Sequence, residues 1–227
     1  MEKNLIYLFT RPASFFGSKV QNPQSMKLPL VIVLVGAVIS GILGYQLGTL
    51  TAQIFAQASP GISGIISITT LISSFVVFLV IWPVMTAVFY LVSMVFRGKG
   101  TFGRLLEFVG IGSLPQVMSA IVTLLVAQIY LPLVRIPHIT TIQDPAAIIA
   151  ATQALTNDPA FREFTLVSLV VSIIFLIWSA NLWIFGVKEA RALTTKQAAI
   201  TVLVPVLAYI LINIAFTFGN VVNLGGV

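Results

Sequence analysis

From Leu28 to Phe96 the sequence contains no charged residue, and this run constrains the fold more than any other feature. A single helix of that length would measure about 100 Å, roughly three times the thickness of a hydrocarbon core. The run must therefore fold back on itself. The motif Ala58-Ser59-Pro60-Gly61 is a turn signal, because Pro and Gly interrupt helices. The sequence thus predicts two spans, near 30–55 and 66–92, joined at this turn.

Three more uncharged runs follow, near 108–134, 164–187 and 197–219, and each is long enough for the about 20 residues that one crossing needs. Charged residues make up 8% of the chain, whereas a soluble domain carries about 25%. The runs lack the period-two alternation of membrane β-strands, which favours helices over a barrel. We therefore predict an all-α, polytopic membrane protein with five transmembrane helices.

The connections between the spans determine the predicted orientation. Ten of the twelve Lys and Arg residues fall in the N-terminal segment or in the second-to-third and fourth-to-fifth connections. By the positive-inside rule, these segments and the N-terminus are cytosolic and the C-terminus lies outside. The predicted organisation is a cytosolic segment, 1–27, and a single five-helix membrane domain, 28–227, with an external loop at 135–163. The expected location is the inner cell membrane of a prokaryote or an endomembrane of a eukaryote.

The N-terminal segment admits two interpretations. Thr10-Arg11-Pro12 suits a helix start with Pro in the first turn, and Phe15, Phe16 and Val20 would then lie on the membrane surface. The alternative is a solvated segment that leads into the first span.

Small residues recur at every fourth position of the first span. Such a stripe lets another helix approach closely. The sequence leaves open whether that helix belongs to the same chain or to a second copy in a homo-oligomer. The predicted helix-packing residues are Gly36, Ser40, Gly44, Gly48 and Ala52.

Prolines interrupt three spans, at Pro83, Pro115 and Pro205, and are predicted to kink the helices because each removes an intrahelical hydrogen bond. Broken helices also form the midplane sites of many transporters. The polar side chains within the spans are predicted to form interhelical hydrogen bonds without a ligand. They are Gln116, Gln128, Asn181 and Asn213.

The residue types present limit the chemistry. No Asp, Glu, Lys, Arg or His falls in the middle of a predicted span, whereas coupled carriers usually place one there. The chain has no Cys, and its single His, His138, lies in the external loop, so no metal site, catalytic residue or cofactor is expected. In that loop Asp144 and Asp158 each precede a Pro and are interpreted as helix caps around a short helix at 146–155, and Glu163 as a solvated charge.

The predicted cytosolic side carries a set of basic residues that we call the basic face. These residues either attract anionic lipids or an acidic protein partner, or serve only to fix the orientation. Lys and Arg occur singly and without interleaved aromatics, so nucleic acid is not an expected partner. The basic face comprises Arg11, Lys19, Lys27, Arg97, Lys99, Arg104, Lys188, Arg191 and Lys196.

Three segments together resemble the YIP (Ypt-interacting protein) family. They are Arg11-Pro12-Ala13-Ser14-Phe15-Phe16, Gly100-Thr101-Phe102 with Gly110-Ile111-Gly112-Ser113-Leu114-Pro115, and Leu182-Trp183-Ile184-Phe185-Gly186-Val187-Lys188 followed by Ala198-Ala199. The resemblance implies five membrane helices with a cytosolic N-terminus and no catalytic residue. Eukaryotic members are adaptors that bind lipid-modified Rab-type GTPases. This sequence lacks their long acidic N-terminal region and has Gly110-Ile111 where they have a Gly-Tyr pattern, which favours the short prokaryotic branch.

Two functions follow as hypotheses. The first is a non-enzymatic membrane scaffold or adaptor of the YIP family, acting in membrane organisation or trafficking. The second is a channel or carrier for a small neutral or hydrophobic substrate.

Overall fold

The described part of the chain is predominantly helical. The computed structural model describes residues 5–59, 61–139 and 143–222, with the backbone alone for 219–222, so Pro60 of the predicted turn and the end of the C-terminal tail lie outside the described residues. No strand occurs in these ranges. Five helices are long and apolar enough to cross a membrane, which confirms the predicted all-α, five-span fold. They cover Lys27–Ile54, Ile62–Val95, Phe102–Leu133, Pro159–Arg191 and Thr195–Phe218.

Nine α-helices follow one another along the described chain. Two short ones precede the first span, the third span is divided in two and ends in a 3-10 turn at Leu131–Leu133, and one lies in the predicted external loop. They are α1 (Ile6–Thr10), α2 (Pro12–Lys19), α3 (Lys27–Ile54), α4 (Ile62–Val95), α5 (Phe102–Gly112), α6 (Leu114–Tyr130), α7 (Pro145–Asn157), α8 (Pro159–Arg191) and α9 (Thr195–Val222).

The helix starts in the external loop confirm the two predicted caps. The Oδ1 atom of Asp144 accepts hydrogen bonds from the backbone N–H groups of Ala146 and Ala147 at 2.9 and 3.3 Å. Asp158 caps α8 in the same way, because its Oδ1 atom accepts from the N–H groups of Ala160 and Phe161. Its other oxygen accepts from the N–H of Arg135 at 3.2 Å, which ties the end of the third span to the start of the fourth. These carboxylates satisfy backbone donors that a helix start leaves without partners.

The third span is divided between Gly112 and Leu114. Pro115 is the second residue of α6, and it has no N–H to continue the hydrogen-bond ladder of α5. The N–H of Ser113 bonds to Gly110, and the carbonyl of Val109 instead accepts the hydroxyl of Ser113 at 2.9 Å. The freed carbonyl also accepts the indole N–H of Trp183 at 2.9 Å. Two side chains therefore satisfy the carbonyl of Val109 at the break.

The chain divides into two compact units. Unit 1 comprises Met1–Gly36, Phe78–Met118 and Ile173–Leu211. Its core brings the N-terminal helices against α5 and α8, with the ring centroids of Phe16 and Phe108 5.1 Å apart.

Unit 2 comprises Ala37–Val77, Ser119–Ser172 and Ile212–Val227. Its core packs the end of α3 against α7 and the segment after the third span. The buried members are Leu50, Ile54, Val134, Ile139, Ala151 and Leu155.

Two of the spanning helices, α4 and α8, end in the same hydrogen-bonded motif. The N–H of Gly98 bonds to the carbonyl of Ser93 at 3.0 Å, and the N–H of Leu193 bonds to that of Lys188 at 3.0 Å. Each bond closes a Schellman turn around a left-handed residue, which is Arg97 (φ 55°) in α4 and Ala192 (φ 49°) in α8. Glycine is the usual residue at this position because a Cβ there is strained.

Replacing Ala192 with glycine is therefore expected to raise the free energy of unfolding by about 0.5 to 1 kcal/mol, since it removes the Cβ from a left-handed position. The matched control is Ala199→Gly within α9. This substitution should lower the free energy of unfolding by about 1 kcal/mol, because glycine has a lower helix propensity than alanine. Thermal unfolding of the purified protein in detergent measures both. Equal destabilisation by the two substitutions would contradict the strain at Ala192.

Candidate functional site

The segments that carry the basic face meet at one end of unit 1. The guanidinium of Arg104, at the start of α5, donates to the carbonyl of Asn22 at 2.6 Å. The N–H of Lys99 donates to the carbonyl of Arg191 at 2.8 Å. Gly17 lies beside the side chain of Glu189. The N-terminal segment and both basic connections therefore lie on the same side of the spans, as the charge distribution predicts.

Arg191, the last residue of α8, forms hydrogen bonds to the end of α4 and to the connection between α4 and α5. Its side chain is 2% exposed. The Nε atom donates to Ser93 Oγ at 2.9 Å, and Nη2 donates to the carbonyl of Gly98 at 2.6 Å. Nη1 donates to the carbonyl of Gly100. The guanidinium lies 4.2 Å from the centre of the Tyr90 ring, a cation–π distance. The planar fork of arginine suits this set of divergent acceptors.

Gly100 makes this close approach feasible. Its φ is +102°, a conformation that residues with a Cβ rarely adopt. A Cβ at this position would also overlap the carbonyl oxygen of Ala190. The Gly100-Thr101-Phe102 motif thus combines a positive-φ turn, which glycine adopts without strain, with the N-cap of α5, where Thr101 Oγ1 accepts from the N–H of Arg104 at 3.2 Å.

A buried carboxylate, Glu107, joins the N-terminal segment to α5. It is fully buried. Arg104 Nη1 lies 2.7 Å from its Oε2, and Lys19 Nζ lies 3.4 Å from its Oε1. Oε1 has no hydrogen bond of good geometry, so the contact with Lys19 is an ion pair without a directed bond. Removing either cation would leave buried charge poorly compensated.

The structure divides the basic face into bonded and exposed side chains. Lys19, Arg104 and Arg191 hold the interior contacts just described, and Lys188 pairs with Glu189 at 3.1 Å. The remaining five side chains are exposed, and none has an ion pair to a described residue. They are Arg11, Lys27, Arg97, Lys99 and Lys196.

The small-residue stripe of α3 contacts α4 of the same chain. In unit 2, a Cβ added to Gly44 would overlap the Ser74 side chain and lie 2.7 Å from the Thr70 carbonyl oxygen. A Cβ at Gly48 would lie 2.9 Å from the Cα of Ser67. Gly41, which the four-residue pattern omits, lies on the same contact because a helix has 3.6 residues per turn. For Gly41, Gly44 and Gly48, the helix that approaches the stripe is therefore α4 of the same chain.

The other predicted packing residues have different surroundings. Gly36 belongs to unit 1, where a Cβ would overlap the ring of Phe78 and lie 3.1 Å from Val117 Cγ2. Ala52 is buried, and Ser40 is half-buried. Among the predicted kink residues, Pro83 and Pro205 lie inside α4 and α9, and Pro115 lies at the break described above.

Polar side chains within the spans are partly paired. Gln116 Nε2 donates to Ser179 Oγ at 3.2 Å within unit 1. Gln128 Nε2 donates to Gln46 Oε1 at 3.0 Å within unit 2. Asn213 is half-buried. Asn181 is exposed and, unlike these three, has no interaction with a described residue.

The ionisable residues of the predicted external side are spread along the loop. His138 Nδ1 lies 3.1 Å from the carbonyl oxygen of Gln53, and Glu163 is exposed. Over residues 5–59, 61–139 and 143–222, no three His, Cys, Asp or Glu side chains are grouped so as to hold a metal ion.

Comparison with known families matches residues 6–217 to the Yip1 domain. The chain belongs to the Yip1 domain family. The family resemblance deduced from the three sequence segments is therefore confirmed. This Yip1 domain chain is also 33% identical, over 124 residues, to a protein of Methanocaldococcus jannaschii that is named only as uncharacterized. The match covers 55% of this chain and 88% of that relative, and it agrees with a short prokaryotic branch. No solved structure matches the chain.

The family match and the five apolar helices together make this an integral membrane protein. The functional features that sequence reasoning missed are the interior roles of Glu107 and Arg191. One local signal was available for Glu107, because Arg104 lies one helical turn before it, at a spacing that forms ion pairs.

Proposed function

We propose that this Yip1 domain protein is a non-enzymatic membrane scaffold that gathers anionic lipid at its basic face. The proposal rests on the division of the basic face into bonded side chains and exposed side chains. Its bonded members fix the three segments to one another, which leaves five exposed cations on a rigid support. A rigid array of cations attracts anionic headgroups at about 1 kcal/mol per Lys or Arg near the surface.

Two further features support a scaffold over a catalyst or carrier. The interior polar groups of unit 1 are engaged with one another, as in the contacts of Glu107 with its two cations and of Gln116 with Ser179. The basic residues are concentrated on one side of the spans, which favours a cytosolic position for this face. The leaflet facing the cytosol is also the one that carries anionic lipid in many membranes.

The test removes two exposed cations that take no part in the support. The double variant Lys99→Gln/Lys196→Gln should retain less anionic lipid after purification in mixed micelles. The expected loss is about fivefold per charge at low salt, and it should shrink at high salt because the attraction is screened. Lipid retained per protein, measured by mass spectrometry at both salt concentrations, gives the result.

The matched control is Arg135→Gln/Arg162→Gln, which removes two exposed cations from the predicted external side. It should leave the retained anionic lipid unchanged. Equal loss in both double variants, or no loss in either with the orientation intact, would contradict the proposal. Flux of small solutes through reconstituted vesicles above protein-free vesicles would favour the channel or carrier instead.

A further inference from the structure

The amide of Asn181 faces outward from a spanning helix without a partner among the described residues. Asn181 lies in α8, seven residues before Lys188 and therefore about 10 Å further into the membrane. Its side chain is exposed, and no described residue accepts from or donates to it. In hydrocarbon an amide without hydrogen bonds costs several kcal/mol. A partner from outside the chain would satisfy it.

The residues around Asn181 form a stripe along α8 that faces outward at Ile174, Ile177 and Asn181 and borders the core of unit 1 at Ile184. Ile174 and Ile177 are each 58% exposed, and Ile184 is half-buried. The four positions, 174, 177, 181 and 184, follow one another at spacings of three, four and three residues. This is the a/d spacing of a coiled coil, with Ile174 and Asn181 at a and Ile177 and Ile184 at d. All four residues belong to unit 1.

A second copy of this chain fits the stripe better than an unrelated helix. Two copies in one membrane have the same orientation, so their α8 helices would run parallel about a two-fold axis along the membrane normal. In a parallel pair, the residue at each heptad position a contacts the same residue of the other copy. The asparagine amide carries both donors and an acceptor, so it pairs with itself. A single asparagine at an a position also fixes register in parallel two-stranded coils.

The next a position is Lys188, where two like charges would face each other. Its ammonium lies 3.1 Å from the carboxylate of Glu189, so each copy neutralises this charge internally. We infer that the protein self-associates through the Ile174, Ile177, Asn181 and Ile184 stripe of α8, with an amide pair at Asn181 inside the bilayer. This contact is separate from the α3 glycine stripe and does not depend on lipid binding at the basic face.

The chain contains no cysteine, so single cysteines can test the contact directly. We would introduce Ile174→Cys and Ile177→Cys separately into the full chain in lipid nanodiscs or native membranes, and oxidise them. The matched control is Val204→Cys in α9. Val204 is 57% exposed and lies nine residues after Thr195, the first residue of α9, which follows the connection from α8. The stripe positions should give at least about fivefold more covalent dimer than position 204.

A second variant separates the amide pair from general contact. Asn181→Ala should weaken self-association by about three- to tenfold, as for hydrogen bonds between membrane helices. Its thermal stability at dilution should be unchanged, because the side chain contacts no described polar group. Dimer yields at the stripe no higher than at position 204 would overturn the inference, as would cross-links from the stripe to a different protein only.

Discussion

Replacing Arg191 with alanine is expected to lower the free energy of unfolding by about 3 kcal/mol or more. The substitution removes the guanidinium hydrogen bonds to the buried hydroxyl of Ser93 and to the part-buried carbonyls of Gly98 and Gly100. A hydrogen bond to a charged group contributes about 1.5 to 3 kcal/mol. It also removes the cation from the face of the Tyr90 ring. The midpoint of thermal unfolding in detergent is the measurement.

Two controls locate the effect in the guanidinium. Arg191→Lys keeps the charge but cannot reach the same divergent acceptors, so it should recover only part of the stability. Lys196→Gln removes an exposed charge five residues away and should change stability by less than about 0.5 kcal/mol. Full rescue by lysine would mean that charge alone matters at this position.

Substituting leucine for Gly44 should be similarly severe. The first added carbon already overlaps Ser74 and lies 2.7 Å from a carbonyl oxygen of α4, which is backbone and cannot rotate away. Overpacking of this kind costs about 1 to 3 kcal/mol and occasionally more. The two helices would have to separate, so thermal unfolding should shift to lower temperature.

Gly64→Leu provides the same chemical change without the contact. Gly64 lies in α4, and a Cβ there would meet nothing within 4 Å. Leucine should be neutral or slightly stabilising at this position because it has a higher helix propensity than glycine. Similar destabilisation by both substitutions would show that the α3–α4 contact tolerates a side chain.

The features that the sequence predicted well depend on local chemistry. Five apolar runs were sufficient to predict five spanning helices, because backbone groups in lipid must bond within their own segment. The caps at Asp144 and Asp158 were predicted from the adjacent prolines. The glycine stripe was also visible, but its partner was not, since Ser74 and Thr70 are part of a separate span whose rotation no local pattern reveals.

The organisation of the basic face required long-range contacts. From sequence, Arg191 and Lys196 are equivalent cations in one short connection. The structure buries the first and exposes the second, because the Schellman turn at Ala192 reverses the chain between them. The acceptors of Arg191 are carbonyls more than 90 residues away, and a backbone carbonyl has no signature in the sequence.

The packing of the N-terminal helices affects the order in which the protein can be assembled. Phe9 contacts Trp178, with ring centroids 5.1 Å apart, and Phe16 lies 3.6 Å from the place of a Cβ on Gly186. These partners are translated about 170 residues later, which at about 5 to 20 residues per second is roughly 10 to 30 seconds. Throughout that interval these aromatic side chains lack their partners in α8, although Phe108 becomes available to Phe16 earlier. The segment that leaves the ribosome early is therefore among the last to reach its native position, and during biogenesis it is available to the insertion machinery or to chaperones.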